Sequence, residues 1–129
     1  MMKSQVLIID DHPTYCHLLT AAAQARGFQL LPAVTSAADA IEACKHHRPE
    51  VVILDLHLSD EVDGLSLCQL ILDLDGTTRI VASGSFPETS HVESAFRAGV
   101  HRCLRKPFRM DEALRLFENL AKELDTAIV

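Results

Sequence analysis

Two adjacent carboxylates, Asp10 and Asp11, close an aliphatic run in "VLIIDD". A third, Asp55, closes a second such run, "VVIL". Like charges held together raise each other's cost of ionising, so a cluster of this kind calls for a positive partner. Lys106 in "LRKPF" offers an ammonium, and Ser83 in "IVASGS" offers a hydroxyl. Oxygen ligands suit Mg²⁺, a hard cation that keeps several of its waters. A carboxylate beside a cation can also attack phosphorus and form an acyl phosphate. Metal, Lys106 and Ser83 would then hold the phosphoryl oxygens.

These groups are far apart in the chain, so the fold must bring them together. The apolar pattern changes period repeatedly. "QVLII" predicts a buried strand, and Tyr15, Leu18, Leu19, Ala22 and Ala25 then recur at helical spacing, with Pro13 at the start and Gly27 as the stop. "FQLLPAV" predicts a second strand, made irregular or placed at an edge by Pro32. Ser36 predicts an N-cap for a helix that turns Ala37, Ala40, Ile41 and Cys44 inward. "VVIL" is the third strand, and the helix after Gly64 buries Leu67, Cys68, Ile71 and Leu74. "RIVAS", a helix marked by Val92, Ala95 and Phe96 and ended by Gly99, and "VHRCL" follow. Met110, Ala113, Leu114, Phe117, Leu120, Ala121 and Leu124 form the clearest amphipathic stripe.

Five βα units in this order predict an α/β fold with a parallel sheet covered on both faces. In such sheets ligands bind beyond the carboxyl ends of the strands. Asp10, Asp11, Asp55, Ser83 and Lys106 all follow strands, so all five are expected at one edge. No linker or repeat interrupts the 129 residues, and a single domain over 1–129 is expected. Net charge is −6, which disfavours nucleic acid and anionic membranes as partners. The first residues do not read as a signal peptide, and a cytoplasmic protein is expected. Cys16, Cys44, Cys68 and Cys103 form no CxxC pair and read as reduced, mostly buried apolar residues. His46 and His47 read as a solvated helix end, "DLDG" as a helix end and turn, and Asp63-Gly64 as a turn or helix start.

The pieces "IIDDHP", "VVILDLHL", "DGLSLC", "IVASGS", "FRAGV" and "LRKPF", in this order, resemble a response-regulator receiver domain, the phosphoacceptor of two-component signalling. The resemblance covers nearly the whole chain. It implies a flavodoxin-like, doubly wound (βα)5 fold with strand order 2-1-3-4-5. It implies Asp55 as phosphoacceptor in a magnesium-dependent reaction. It further implies Mg²⁺ ligated by Asp11, Asp55 and the backbone carbonyl of His57, with Asp10 acting through metal-bound water. Ser83 would be the switch hydroxyl, Lys106 the family's lysine, and the Lys106–Pro107 bond cis. The implied partner is a sensor histidine kinase or a histidine phosphotransfer protein. The fourth helix, fifth strand and fifth helix would form the output surface, where a homodimer would also form. The chain would then be a switch that gains and loses its own phosphoryl group, not an enzyme with an independent substrate.

Some features depart from the family pattern. Cys103 stands three residues before Lys106, where the family has Tyr or Phe, and Phe86 in "GSFPE" is the available aromatic substitute. Ser59, Asp60 and Glu61 add polar and acidic groups beside the site, and the His57 side chain would either flank the site or stand idle. Three other readings compete. A degenerate receiver would act by protein contact alone, a reading that Cys103 favours and the retained acids oppose. An aspartyl-phosphate phosphatase of the haloacid-dehalogenase type would need Asp-x-Asp, and His57 stands at the second position. A flavodoxin-like binding module would need a hydroxyl- and glycine-rich phosphate loop after the first strand, which the sequence lacks. The sequence shows no DNA-binding or catalytic segment after residue 125, so the expectation is either a stand-alone receiver or part of a longer protein.

Overall fold

The computed structural model describes residues 3–59 and 62–127. Five strands and five helices alternate: β1 (Gln5–Ile9), α1 (Pro13–Ala25), β2 (Gln29–Leu30), α2 (Ala37–His47), β3 (Val51–Asp55), α3 (Gly64–Leu74), β4 (Arg79–Gly84), α4 (Thr89–Arg97), β5 (Arg102–Arg105) and α5 (Met110–Ala127). All strand pairs are parallel and the order is β2-β1-β3-β4-β5. This is the flavodoxin-like (βα)5 sheet expected from the sequence.

Continuous apolar strands are explained by burial on both faces. Successive side chains of a strand point to opposite faces. Val6, Ile8, Val51, Ile53 and Val81 therefore meet Leu19 and Ala22 of α1 and Phe117 and Leu120 of α5. Leu7, Ile9, Val52, Leu54, Ile80 and Ala82 meet α2, α3 and α4 through Ala40, Cys44, Leu67, Ile71 and Ala95. Each fully buried Leu, Ile or Val contributes about 1.5–3 kcal/mol of transfer free energy. Among the described residues no helix is long and apolar enough to cross a membrane.

Local signals place the helix ends. Ser36 Oγ accepts from the Asp39 amide at 3.2 Å, capping α2 as expected, and Asp63 caps α3 through the Ser66 amide. Gly99 ends α4 with φ of 102°, a backbone conformation natural to glycine. His46 and His47 are exposed at the end of α2, and Asp75 turns the chain after α3 by accepting from Thr77.

As Pro32 predicts, the second strand is irregular and at the sheet edge: β2 is two residues long, and pairing resumes as a single bridge between Ile9 and Val34. Two packing details differ from the sequence reading. In α1 it is Ala23, not Ala25, that is buried. Phe96 is exposed on the outer side of α4, while Ala95 turns inward. The four cysteines are free. Burial pushes the thiols of Cys44 and Cys68 up to about 11.

Candidate functional site

The site assembles because parallel registry brings strand ends level. Ile9 is opposite Leu54, so Asp10 emerges beside Asp55. Asp55 is directly opposite Ser83, and Gly84 opposite Arg105, so Ser83 and Lys106 complete the same edge. The Lys106 amide donates to the Gly84 carbonyl at 2.8 Å, and the Lys106–Pro107 peptide is cis, as expected. All five residues singled out on strand ends are thus brought together.

Asp10 and Asp55 are each 1% exposed and Ser83 is 0% exposed. Lys106 Nζ donates to Asp10 Oδ2 at 2.9 Å and lies 3.4 Å from Asp55 Oδ2. Its ammonium also stands 4.5 Å from the centre of the Tyr15 ring, a cation–π contact that steadies it from the first turn of α1. Charge-assisted bonds of this kind are what make buried carboxylates tolerable.

The remaining oxygens are held by loop groups. The His57 amide donates to Asp55 Oδ1 at 2.8 Å, and the His12 amide donates to Asp10 Oδ1 at 2.8 Å. Ser59 donates to Asp11 Oδ2 through both its hydroxyl (2.7 Å) and its amide (3.2 Å). The hydroxyl bond, against a smaller opposing effect of burial, holds the Asp11 carboxyl below its ordinary value. Asp60 and Glu61 lie outside the described residues.

Among the described residues five buried polar side-chain atoms have no hydrogen-bond partner. Arg79 Nε and Arg102 Nε lie at the opposite end of the sheet; the other three, Asp55 Oδ2, Asp11 Oδ1 and Ser83 Oγ, lie together at this edge. Buried polar groups are normally satisfied, so unsatisfied ones at one edge mark a place for something else. Two are carboxylate oxygens and the third is a hydroxyl. Such hard oxygen donors fit a divalent cation together with a phosphoryl group.

The His57 side chain is exposed and lies across Gly84; a Cβ there would come 3.1 Å from His57 Nε2. It borders a cavity of about 330 Å³ with Leu56, Leu65, Phe86 and His91. None of Asp10, Asp11, Asp55, Ser83 and Lys106 lines that cavity, so the imidazole stands over Gly84, next along the chain from Ser83. Phe86 itself is buried, with φ of 43°, and Arg105 Nη1 donates to the carbonyls of Ser85 (3.1 Å) and Phe86 (2.5 Å). Cys103 is half-buried against the α2–α3–α4 side of the core.

Sequence reasoning missed His12. Its Nδ1 lies 3.2 Å from Asp10 Oδ1, 3.1 Å from Asp11 Oδ1 and 3.6 Å from Asp55 Oδ2. It also missed Ser59 as the bond donor to Asp11, and Tyr15 as the ring under Lys106. The signal for His12 was its place in "DDHP", just ahead of a helix and just behind two acids.

The model of the response regulator receiver domain matches residues 6–118. The chain is 28% identical over 113 residues to the chemotaxis protein CheY of Bacillus subtilis, covering 88% of this chain and 93% of that protein. It is 36% identical over 111 residues to the transcriptional regulatory protein KdpE of Mycobacterium tuberculosis, covering 84% of this chain but 47% of KdpE, about half its length. In fold it is similar to the receiver domain of a Pseudomonas aeruginosa sensor histidine kinase, solved with a magnesium ion coordinated in its active-site cleft. The TM-score is 0.76 at 21% identity, over 92% of this chain and 97% of the other. A parallel five-stranded sheet that gathers Asp10, Asp11 and Asp55 at one edge, and a family match over most of the chain, agree: this protein belongs to the response regulator receiver domains of two-component systems.

Proposed function

We propose that Asp55 accepts a phosphoryl group from a phosphohistidine on a histidine kinase or phosphotransfer protein. The carrying observation is the Asp55 carboxylate itself. It is almost fully buried, fixed through one oxygen by the His57 amide, and its other oxygen has no hydrogen-bond partner and faces Lys106. A carboxylate oxygen attacks phosphorus, the P–N bond breaks, and the donor imidazole leaves with the electron pair and takes up a proton. Mg²⁺, held by Asp11, Asp55 and the His57 carbonyl with Asp10 acting through its waters, would supply positive charge to the phosphoryl oxygens. Lys106 adds a fixed ammonium at the same place, and its bond to Asp10 orients it in advance. The unpartnered Ser83 hydroxyl donates to a phosphoryl oxygen once one is present.

Ser83 also carries the signal outward. It leads directly through Gly84 into the Ser85–Phe86 turn that Arg105 clamps. Cys103 has far less area to bury than an aromatic ring, so its own contribution to a two-position switch is small. The rearrangement therefore runs through the β4–α4 turn and Phe86, toward an output surface of α4, β5 and α5.

Intact mass after incubation with a small phosphodonor tests the assignment. Wild type should gain one phosphoryl group with Mg²⁺ and little without it. Asp55→Asn should gain none. Uptake by Asp55→Asn at the wild-type rate would overturn the proposal.

A further inference from the structure

His12 occupies the N-cap position of α1, yet its side chain makes no capping bond. N-cap side chains normally accept from the next turn, a task for Ser, Thr, Asp or Asn. Here the imidazole turns instead toward three carboxylates. One ligand atom each from Asp10, Asp11, His12 and Asp55 lie within 4.8 Å of one another. Ligands sharing one cation at bond lengths near 2.0–2.1 Å stand roughly 3 Å apart. The separations of 3.1, 3.2 and 3.6 Å around Nδ1 are of that size. Asp55 Oδ2, 1% exposed and without a hydrogen-bond partner, points at the same spot, and Ser83 Oγ, 0% exposed, is unpartnered beside it.

We propose that His12 Nδ1 is an additional ligand of this pocket, making it a mixed nitrogen–oxygen site that holds a borderline 3d cation, such as Co²⁺, more tightly than Mg²⁺. The inference rests on the reading of the acidic pocket as a cation site. Imidazole suits 3d ions, whereas Mg²⁺ prefers oxygen and sheds water reluctantly. Ligation uses the Nδ1 lone pair, with the ring proton on Nε2. His12 is 57% exposed, so its ring can settle onto an arriving cation and its replacement leaves the core intact.

The chain provides its own reporter. Tyr15 is the only tyrosine and there is no tryptophan. Its ring centre is 6.1 Å from that of His12. Tyrosine emission is followed during titration with Co²⁺ or Mg²⁺ chloride, for wild type, His12→Ala and Asp11→Ala. Wild type should bind Co²⁺ at least about 30-fold more tightly than Mg²⁺. His12→Ala should lose about 10–100-fold in Co²⁺ affinity while its Mg²⁺ affinity changes less than about threefold. Asp11→Ala should weaken both ions. Unchanged Co²⁺ affinity in His12→Ala, or equal loss for both ions, would overturn the inference while leaving magnesium binding intact. Co²⁺ binding that depends on His12, in a protein that takes up no Mg²⁺, would uphold it and overturn the magnesium reading instead.

Discussion

Two charged clusters sit at opposite ends of the same sheet and resolve their charge differently. At the carboxyl ends of the strands, Asp10 and Asp55 share one lysine, Lys106, while Asp11 is held by Ser59 and faced by His12. At the amino ends, Glu123 of α5 meets Arg79, His101 and Arg102; His101 Nε2 is 2.6 Å away and Arg79 Nε 3.9 Å. One cluster has excess acid, the other excess base. The basic end is more open: Glu123 is 28% exposed and Arg79, His101 and Arg102 are 24%, 42% and 37% exposed, so water screens most of the surplus even though Arg79 Nε and Arg102 Nε are themselves buried. At the acidic end Asp11 reaches water at 22% exposure, but Asp10 and Asp55 are at 1%, so water cannot do the same for them. A surplus of charge becomes a binding site only where burial prevents solvent from neutralising it.

That contrast predicts the largest effect for Lys106→Met. Removing one partner of a buried pair leaves uncompensated charge, and about 3 kcal/mol of stability should be lost in the presence of a chelator. Saturating Mg²⁺ should recover more than half of it. Urea denaturation with and without metal measures both. A variant as stable as wild type in chelator would erase the distinction between the two ends.

Glu123→Gln should cost less, about 1 kcal/mol, because its ion pairs are partly exposed, and Mg²⁺ should leave that loss unchanged. Its pH dependence sharpens the point. Burial works against ionisation of Glu123, but the bonds from Arg102 and His101 outweigh it and hold the carboxyl below its ordinary value of 4.5. A depressed folded value means stabilisation that is present above pH 4.5 and lost as pH falls through the lower, folded value. Wild type should therefore lose stability over that acid range more steeply than Glu123→Gln, as read from thermal midpoints between pH 3 and 5 (about one unit either side of the usual carboxylate values).

Ser83→Ala should give the smallest change, and one of opposite sign. Replacing a fully buried, unpartnered hydroxyl should raise the stability of the unphosphorylated protein by up to about 1 kcal/mol. The same variant should shrink the amide chemical-shift response of Ser85 to Glu88 to a beryllofluoride mimic of the acyl phosphate. A full response without the hydroxyl would show that the signal leaves the pocket by another route.

Element order was legible because it is written in local periodicity. Apolar runs ending in Asp10, Asp55 and Ser83, and the stripe from Met110 to Leu124, need only the pitch of a strand or helix to be read. Helix starts at Ser36 and Asp63 were legible for the same reason, since a cap acts within one turn. Strand ends in a parallel sheet lie at one edge, so the site's membership also followed once the elements were known.

What the tertiary structure alone decided were directions and close approaches. Phe96 faced outward, and Phe86 was buried by a left-handed turn that Arg105 holds from another strand. The turn of His12 into the carboxylates depends on Asp55 arriving from β3, and the bond from Ser59 to Asp11 depends on the path of a loop after that strand. Periodicity fixes which side of an element a residue occupies, but the direction of a long side chain at a strand end is a choice among rotamers. Partners from elsewhere in the chain make that choice, and no local pattern encodes them.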